Sequence, residues 1–317
     1  MTSVVFGCGY IGAQLVADLL GRGENVVVFD NAFSTDAAVL RDFERVQPCR
    51  VVSGSVADRS AVRDAMLAAG SIDKVYFTAG QSSAALSRRF PEYTEETNLR
   101  GPRIVLDQCV ERGVLRVVFT SSMRVLGPAL TSDVDELTSF GPSTDLAHLS
   151  HVYVESLAKM YSRAFDISCS AVRLGIVYGR GPVVKRTREQ MTAPNLFCLQ
   201  ACRRESLCVT RDGALYHPLI HVKDAAQAML LSAESPSSER FVATNAVTEV
   251  LTMTEVASRV AREARAVGMQ VDVSAPSGVA LPPRPPVVTS SLPAAGFTAT
   301  RCLDQGIREM LELFCRV

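Results

Sequence analysis

The first half of the chain alternates two hydrophobic patterns. Short apolar runs rich in β-branched residues predict strands at Ser3–Phe6, Val26–Asp30, Val51–Ser53, Lys74–Thr78, Arg116–Thr120 and Ser170–Arg173. Longer stretches with apolar residues at helical spacing lie between them, at Ile11–Leu20, Arg59–Ala69, Thr97–Arg112 and around Val152–Phe165. Strands that alternate with helices need right-handed crossovers, which build a parallel sheet. These strands are apolar on both faces, so helices must cover both. The expected fold class is α/β, a doubly wound parallel sheet with a second, smaller C-terminal domain.

After Gly175 the rhythm loosens. A polar, basic segment (Gly179–Gln190) leads to a predicted helix at Leu196–Arg204 and a βα unit at His217–Ser232. A helix at Thr254–Val267, a Pro-rich linker at Leu281–Pro286 and a last helix at Leu303–Phe314 follow. The expected division is a first domain over 1–172, with 207–232 returning to it, and an interleaved region over 173–317. The polar stretch Ser132–Ser150 is long for a connection, and a lid over the strand ends is its expected role.

Composition narrows the function classes. Lys plus Arg and Asp plus Glu stand at 33 each, so no net field draws the molecule to nucleic acid or anionic lipid. Arg88–Arg89 and Arg203–Arg204 read as solvated surface. The nine cysteines include no Cys-x-x-Cys pair, and Cys198 and Cys202 have no His or acid beside them to complete a metal set. The expectation is buried thiols, no metal and a reducing, cytoplasmic setting. A strand starting directly after Met1 leaves no room for a signal peptide, and no membrane partner is expected.

The sharpest local signal is Val4-Val5-Phe6-Gly7-Cys8-Gly9-Tyr10-Ile11-Gly12. Gly-x-Gly-x-x-Gly carries weight here because it ends a predicted strand and opens an amphipathic helix. Gly7 permits the tight turn, Gly9 lets backbone approach a pyrophosphate, and Gly12 lets the helix pack close to the strand. The helix start, with Tyr10 and Ile11, offers free N–H groups to the phosphates. Asp30 closes the second strand, where a carboxylate accepts the adenosine ribose hydroxyls and repels a 2′-phosphate, so NAD is expected over NADP. Asn31, Thr78, Ala79, Gly80 and Asn98 complete the candidate cofactor set of this Rossmann-type domain.

The motifs taken together resemble the extended short-chain dehydrogenase/reductases, the NAD-dependent epimerase/dehydratase family. Asn98-Leu99-Arg100-Gly101 resembles the family's Asn-x-x-Gly. Phe119-Thr120-Ser121-Ser122-Met123-Arg124-Val125-Leu126-Gly127 is similar to its fifth-strand motif. Arg173-Leu174-Gly175-Ile176-Val177-Tyr178-Gly179 is similar to Arg-Leu-x-Asn-Val-Tyr-Gly, and Leu219-Ile220-His221-Val222-Lys223-Asp224 to Phe-Ile-His-Val-Asp-Asp. Gly296-Phe297 before the terminal helix fits the family's ending. The resemblance implies an NAD-binding Rossmann domain over 1–172 and a smaller C-terminal substrate domain within 173–317, with hydride transfer on a nucleotide sugar assisted by Ser or Thr, Tyr and Lys, in an enzyme expected to be a homodimer. Ser122 matches the Ser/Thr position.

The catalytic helix departs from that pattern. The family carries Tyr-x-x-x-Lys, a spacing that puts both side chains on one helical face. Here Tyr153 is followed four residues on by Leu157, while Lys159 in the Lys place puts Glu155 in the Tyr place. Val154, Ala158, Tyr161 and Phe165 make a core stripe flanked by Tyr153, whereas His151, Glu155 and Lys159 recur as an ion-paired, solvated face would. The expected catalytic pair is therefore Ser122 and Tyr153, with Glu155 and Lys159 as alternative acid/base residues.

Two further departures concern the substrate. Met123-Arg124 stands where the dehydratase branch carries Asp-Glu, which argues against dehydration by that route. His217 replaces the family's diphosphate-binding Arg, and Lys185, Arg186 and Arg188 are the cations that could substitute. The expected function is a nucleotide-sugar epimerase or ketoreductase, an isomerase or oxidoreductase. The alternative is an NAD-binding protein with a degraded site, acting as sensor or assembly subunit.

Overall fold

The computed structural model describes residues 1–185, 187–234 and 239–315. Its elements run β1 (Thr2–Phe6), α1 (Tyr10–Gly21), β2 (Asn25–Asp30), α2 (Ala37–Glu44), β3 (Cys49–Ser53), α3 (Arg59–Ala69) and β4 (Lys74–Phe77). Then come α4 (Ala84–Arg89), α5 (Pro91–Glu95), α6 (Gly101–Glu111), β5 (Arg116–Ser122), α7 (Leu146–Ala164), β6 (Ser168–Leu174) and β7 (Ile176–Tyr178). The remainder is α8 (Ala193–Cys202), β8 (Leu207–Cys208), β9 (Tyr216–His221), α9 (Val222–Glu234), β10 (Phe241–Ala246) and β11 (Glu249–Thr252). It closes with α10 (Met253–Ala266), β12 (Val273–Ser274) and α11 (Leu303–Cys315).

Among the described residues seven strands form one parallel sheet, in the order β10-β6-β5-β4-β1-β2-β3. Apolar residues fill both of its faces. Val5, Tyr76 and Val118 pack with Leu15 and Leu19 of α1 and Met229 of α9. Val4, Phe6 and Phe119 pack on the other side with Met66 of α3, Leu106 of α6 and Ala158 of α7. This is the doubly wound arrangement expected from the strand pattern. The strand order reverses between β1 and β4, and open α/β sheets bind ligands at the carboxyl ends of strands at such a reversal.

A smaller lobe packs beside those strand ends. Its core joins Phe197 and Cys198 of α8, Val256 and Val260 of α10, and Ile307 and Met310 of α11. The return to the large sheet differs from the expected 207–232. β8 pairs with β12, and β9 pairs with β7 and β11 in a separate sheet, so of that stretch α9 and Ile220 of β9 pack into the Rossmann core. The return then runs further, because β10 pairs with β6 along its whole length. Its Thr244 and Asn245 disguise this strand in the sequence; Asn245 is buried and donates to the Thr289 carbonyl.

The segment expected to be a lid is a pinned strap. Asp133 pairs with Arg284, Val134 exchanges backbone hydrogen bonds with Val287 and Thr289, and Glu136 accepts from Ser291 and from the Asn245 N–H. The cysteines also depart from expectation. Cys8, Cys49, Cys109, Cys169 and Cys198 are buried thiols, but Cys208 and Cys302 are exposed, and Cys202 and Cys315 form a disulfide. Packing of α8 against α11, far apart in sequence, brings the C-terminal ends of both helices together, and local spacing does not reveal it.

Candidate active site

The turn after β1 divides its glycines by role. Gly7 has φ of +94°, and a Cβ there would lie 2.4 Å from the Ala79 nitrogen. A Cβ on Gly12 would lie 1.9 Å from the Gly7 carbonyl oxygen. Both are packing glycines. Gly9 has only the Ser34 hydroxyl at 3.9 Å and opens onto the cleft above the strand ends. No side chain caps the first N–H groups of α1, so they are available to an anion.

That cleft has a volume of about 870 Å³. Gly7, Gly9, Tyr10, Ile11, Asp30, Asn31, Thr78, Ala79, Gly80 and Asn98 of the expected cofactor set line it; Gly12 supports the turn from beneath. The Asp30 carboxylate accepts the Cys8 N–H at 2.6 Å and the Ala32 N–H at 2.7 Å, which ties the glycine turn to the end of β2. Asn98 clasps the Gln81 backbone with both ends of its amide and donates to Ser150 on α7.

Two features of this wall were not anticipated. Phe33 and Tyr93 stack with centroids 4.1 Å apart and both line the cleft. The Tyr10 hydroxyl donates to the Gly179 carbonyl and accepts from Asn195 at 3.0 Å, joining the glycine turn to the smaller lobe. Each pairs residues far apart in sequence, and no local pattern announces it.

The catalytic helix differs from expectation in its register. Ser122 lines the cleft, while its hydroxyl also accepts the Arg124 N–H at 3.2 Å. His151, Ser150 and Val154 line it from α7. Tyr153 is not among the lining residues; it packs against the apolar core shared with α6 and lies near Tyr161. Glu155 is 2% exposed, one turn along from His151, and Arg173 holds both its oxygens at 2.8–3.2 Å. Ser121 donates to the same carboxylate. Lys159 is exposed and away from the cleft. Thus the supposed solvated face carries a buried ion pair, and neither Glu155 nor Lys159 reaches the cleft. Four-residue spacing counted back from Glu155 reaches His151, a signal present in the sequence.

His151 is flanked by His148 and Asp145 at the start of α7 and by Arg124 after β5. Arg124 pairs with Asp145 at 3.2 Å. Burial first, then His148 and Arg124, push the His151 pKa down to about 4, so the ring is neutral at pH 7.

In the outer half of the cleft, Lys185 reaches Ser82 across the opening at 3.4 Å. Burial lowers its pKa to about 8, which leaves it mostly protonated at pH 7. His217 lines the same half and interacts with the Asp212 carbonyl at 2.9 Å; burial lowers its pKa, so it supplies no charge. Arg188 is engaged with Glu205, and Arg186 lies outside the described residues. Leu196, Phe197, Val209 and Met253 give this half apolar walls.

Residues 4–244 match the sequence profile of the NAD dependent epimerase/dehydratase family. The chain belongs to that family. A UDP-glucose 4-epimerase of Yersinia enterocolitica is 29% identical over 238 residues, 71% of this chain and 70% of that protein. A UDP-glucose 4-epimerase of Erwinia amylovora is 29% identical over 163 residues, which span 48% of its length. Among solved structures, the Thermotoga maritima UDP-glucose 4-epimerase with UDP-glucose superposes with TM-score 0.84 at 20% identity, covering 100% of this chain and 99% of that one. The Thermus thermophilus enzyme in complex with NAD gives 0.80 at 24% identity, covering 99% of both chains.

The residues present fit the family's NAD. Gly9 leaves room for a pyrophosphate, the open N-terminus of α1 faces the same cleft, and Asp30 lines it at the end of β2. Asp30→Ala should weaken NAD binding by about 1–3 kcal/mol and narrow the preference over NADP. Titrating both dinucleotides checks this. NADP bound more tightly than NAD by the unmutated chain would remove the ribose role.

Proposed function

We propose that the protein modifies a nucleotide sugar by oxidising or reducing one sugar carbon, as an epimerase or ketoreductase, with the Ser122 hydroxyl at the reacting oxygen. The observation that carries this reading is the single continuous cleft. It runs from the glycine turn past Ser122 into the smaller lobe, and about 870 Å³ is at the upper end for a ligand site of about 300–1,000 Å³. That size suits a dinucleotide with a second nucleotide end to end. Lys185 offers charge to a diphosphate, and Phe197, Val209 and Met253 offer walls to a base.

When bound, NAD supplies the acceptor and donor of a hydride. The chain's own residues hold the sugar oxygen, keep the proton acceptor near it and bury both from water. Family membership favours this reading over a sensor with a degraded site. Purified protein incubated with NAD and UDP-hexoses should interconvert epimers, or change absorbance in the NADH band with a keto-sugar. Inertness toward every nucleotide sugar, with NAD bound, would reject it.

A cytoplasmic setting goes with this reading, and among the described residues no helix is long and apolar enough to cross a membrane. Pairing into a homodimer goes with it too. Leu149 and Met160 are exposed on one face of α7, and such a contact would cover them. Light scattering should report twice the chain mass, and replacing both by Asp should return it to the monomer value.

A further inference from the structure

We propose that His151 is the general acid and base of this enzyme, acting on the same substrate oxygen as the Ser122 hydroxyl. The inference rests on the sugar redox chemistry proposed above. His151 and Ser122 line one cleft from adjoining elements, α7 and the end of β5, and the ring meets the Thr120 backbone of that strand. Neutral at pH 7, the ring keeps one nitrogen lone pair to accept a proton.

The rest of α7 explains why imidazole rather than phenol does this work. A phenol titrates near 10, so it acts as a base near neutrality only with a cation beside it. One turn along from His151 stands Glu155, a carboxylate that Arg173 and Ser121 already hold. No ammonium is offered at that place. An imidazole needs none, because its ordinary pKa of about 6.5 leaves it able to accept a proton near neutrality. Tyr153, with Leu157 four residues on, faces the apolar core instead.

The chemistry balances. The substrate hydroxyl proton passes to the free ring nitrogen as the carbon-bound hydrogen leaves with its electron pair for NAD. The C–O single bond becomes a carbonyl and the imidazole becomes imidazolium, with bound NAD being what would supply the two-electron acceptor. Returning the hydrogen to either face reverses both changes. Asp145, which faces the ring together with His148 and Arg124, favours the imidazolium while it lasts.

The test uses the NAD-loaded protein with UDP-glucose and UDP-galactose as probes. His151→Asn should lower kcat by about 10²–10⁴-fold, the range for a lost acid/base, with NAD affinity and KM nearly unchanged. Tyr153→Phe should retain kcat. Since the ring stays neutral down to about pH 4, the acid limb of kcat/KM should lie near pH 4, below the ordinary histidine range. Full activity in His151→Asn, or loss confined to Tyr153→Phe, would overturn the assignment. Imidazole nitrogen NMR on the same NAD-loaded protein decides independently of turnover. It should show His151 neutral at pH 7 with one protonated nitrogen, and an imidazolium at that pH would also overturn the assignment. Failure of every UDP-hexose to turn over would reject the substrate reading, and the NMR signal would still decide against the ring as proton acceptor if it showed an imidazolium.

Discussion

Gly9→Val should give a folded protein that no longer binds NAD. The backbone at Gly9 is extended, with φ −70° and ψ −156°, a conformation open to β-branched residues. A Cβ there meets nothing closer than the Ser34 hydroxyl at 3.9 Å, so the free protein can hold the side chain without a clash. The space it would occupy is the path of the pyrophosphate over the start of α1. Loss of affinity by at least about 100-fold, or ~2.7 kcal/mol, is expected in a dinucleotide titration. The melting temperature without NAD should hardly move, as for substitutions that create no cavity or buried polar group. Gly7→Ala and Gly12→Ala should do the reverse. Their Cβ atoms would press on Ala79 and on the Gly7 carbonyl, so stability falls along with binding. If Gly9→Val kept its NAD affinity, this turn would not cradle the phosphates.

The contrast among these glycines shows which part of the site was legible in the sequence. A strand, a turn and a helix start within a dozen residues were read from spacing, because each glycine's role is set by neighbours in the chain. Asp30 was legible for the same reason, since it ends the adjoining strand. The walls built across the sequence were not legible. Phe33 stacks on Tyr93, Tyr10 joins Gly179 and Asn195, and Lys185 crosses to Ser82, and only the fold creates those pairs. The register of α7 failed for a different reason. Polar residues every four positions look alike whether they face water or an opposite charge from a neighbouring strand. Glu155 belongs to the second kind, with Arg173 on β6 as the partner, Lys159 belongs to the first, and His151 faces the cleft. Leu157, four residues after Tyr153 where the family carries Lys, is 7% exposed within the apolar core, so an ammonium there would face desolvation and no substrate.

Arg173→Met should destabilise the protein severely. Arg173 and Glu155 are 4% and 2% exposed, and the guanidinium meets both carboxylate oxygens, at 2.8 Å from Nη2 and 3.0 Å from Nε. The same guanidinium donates through Nη1 to the Glu136 carbonyl at 3.2 Å, so it also ties the strap to the sheet. Removing it leaves a buried carboxylate with the Ser121 hydroxyl as its remaining donor among the described contacts. Breaking a buried pair from one side costs about 3–5 kcal/mol. Replacing both charges by groups of similar volume can be nearly neutral, because the desolvation of two ions is then avoided. Chemical denaturation should therefore rank the single variants Arg173→Met and Glu155→Gln well below the parent, with Arg173→Met/Glu155→Leu recovering most of the loss. The recovered double variant carries a second reading. If the pair serves chiefly to hold α7 against β5 and β6, its restored stability should come with a His151 that still lines the cleft and with much of the turnover. A single Arg173→Met within about 1 kcal/mol of the parent would place it among ordinary surface-type substitutions, and the pair would then not anchor the helix that carries His151.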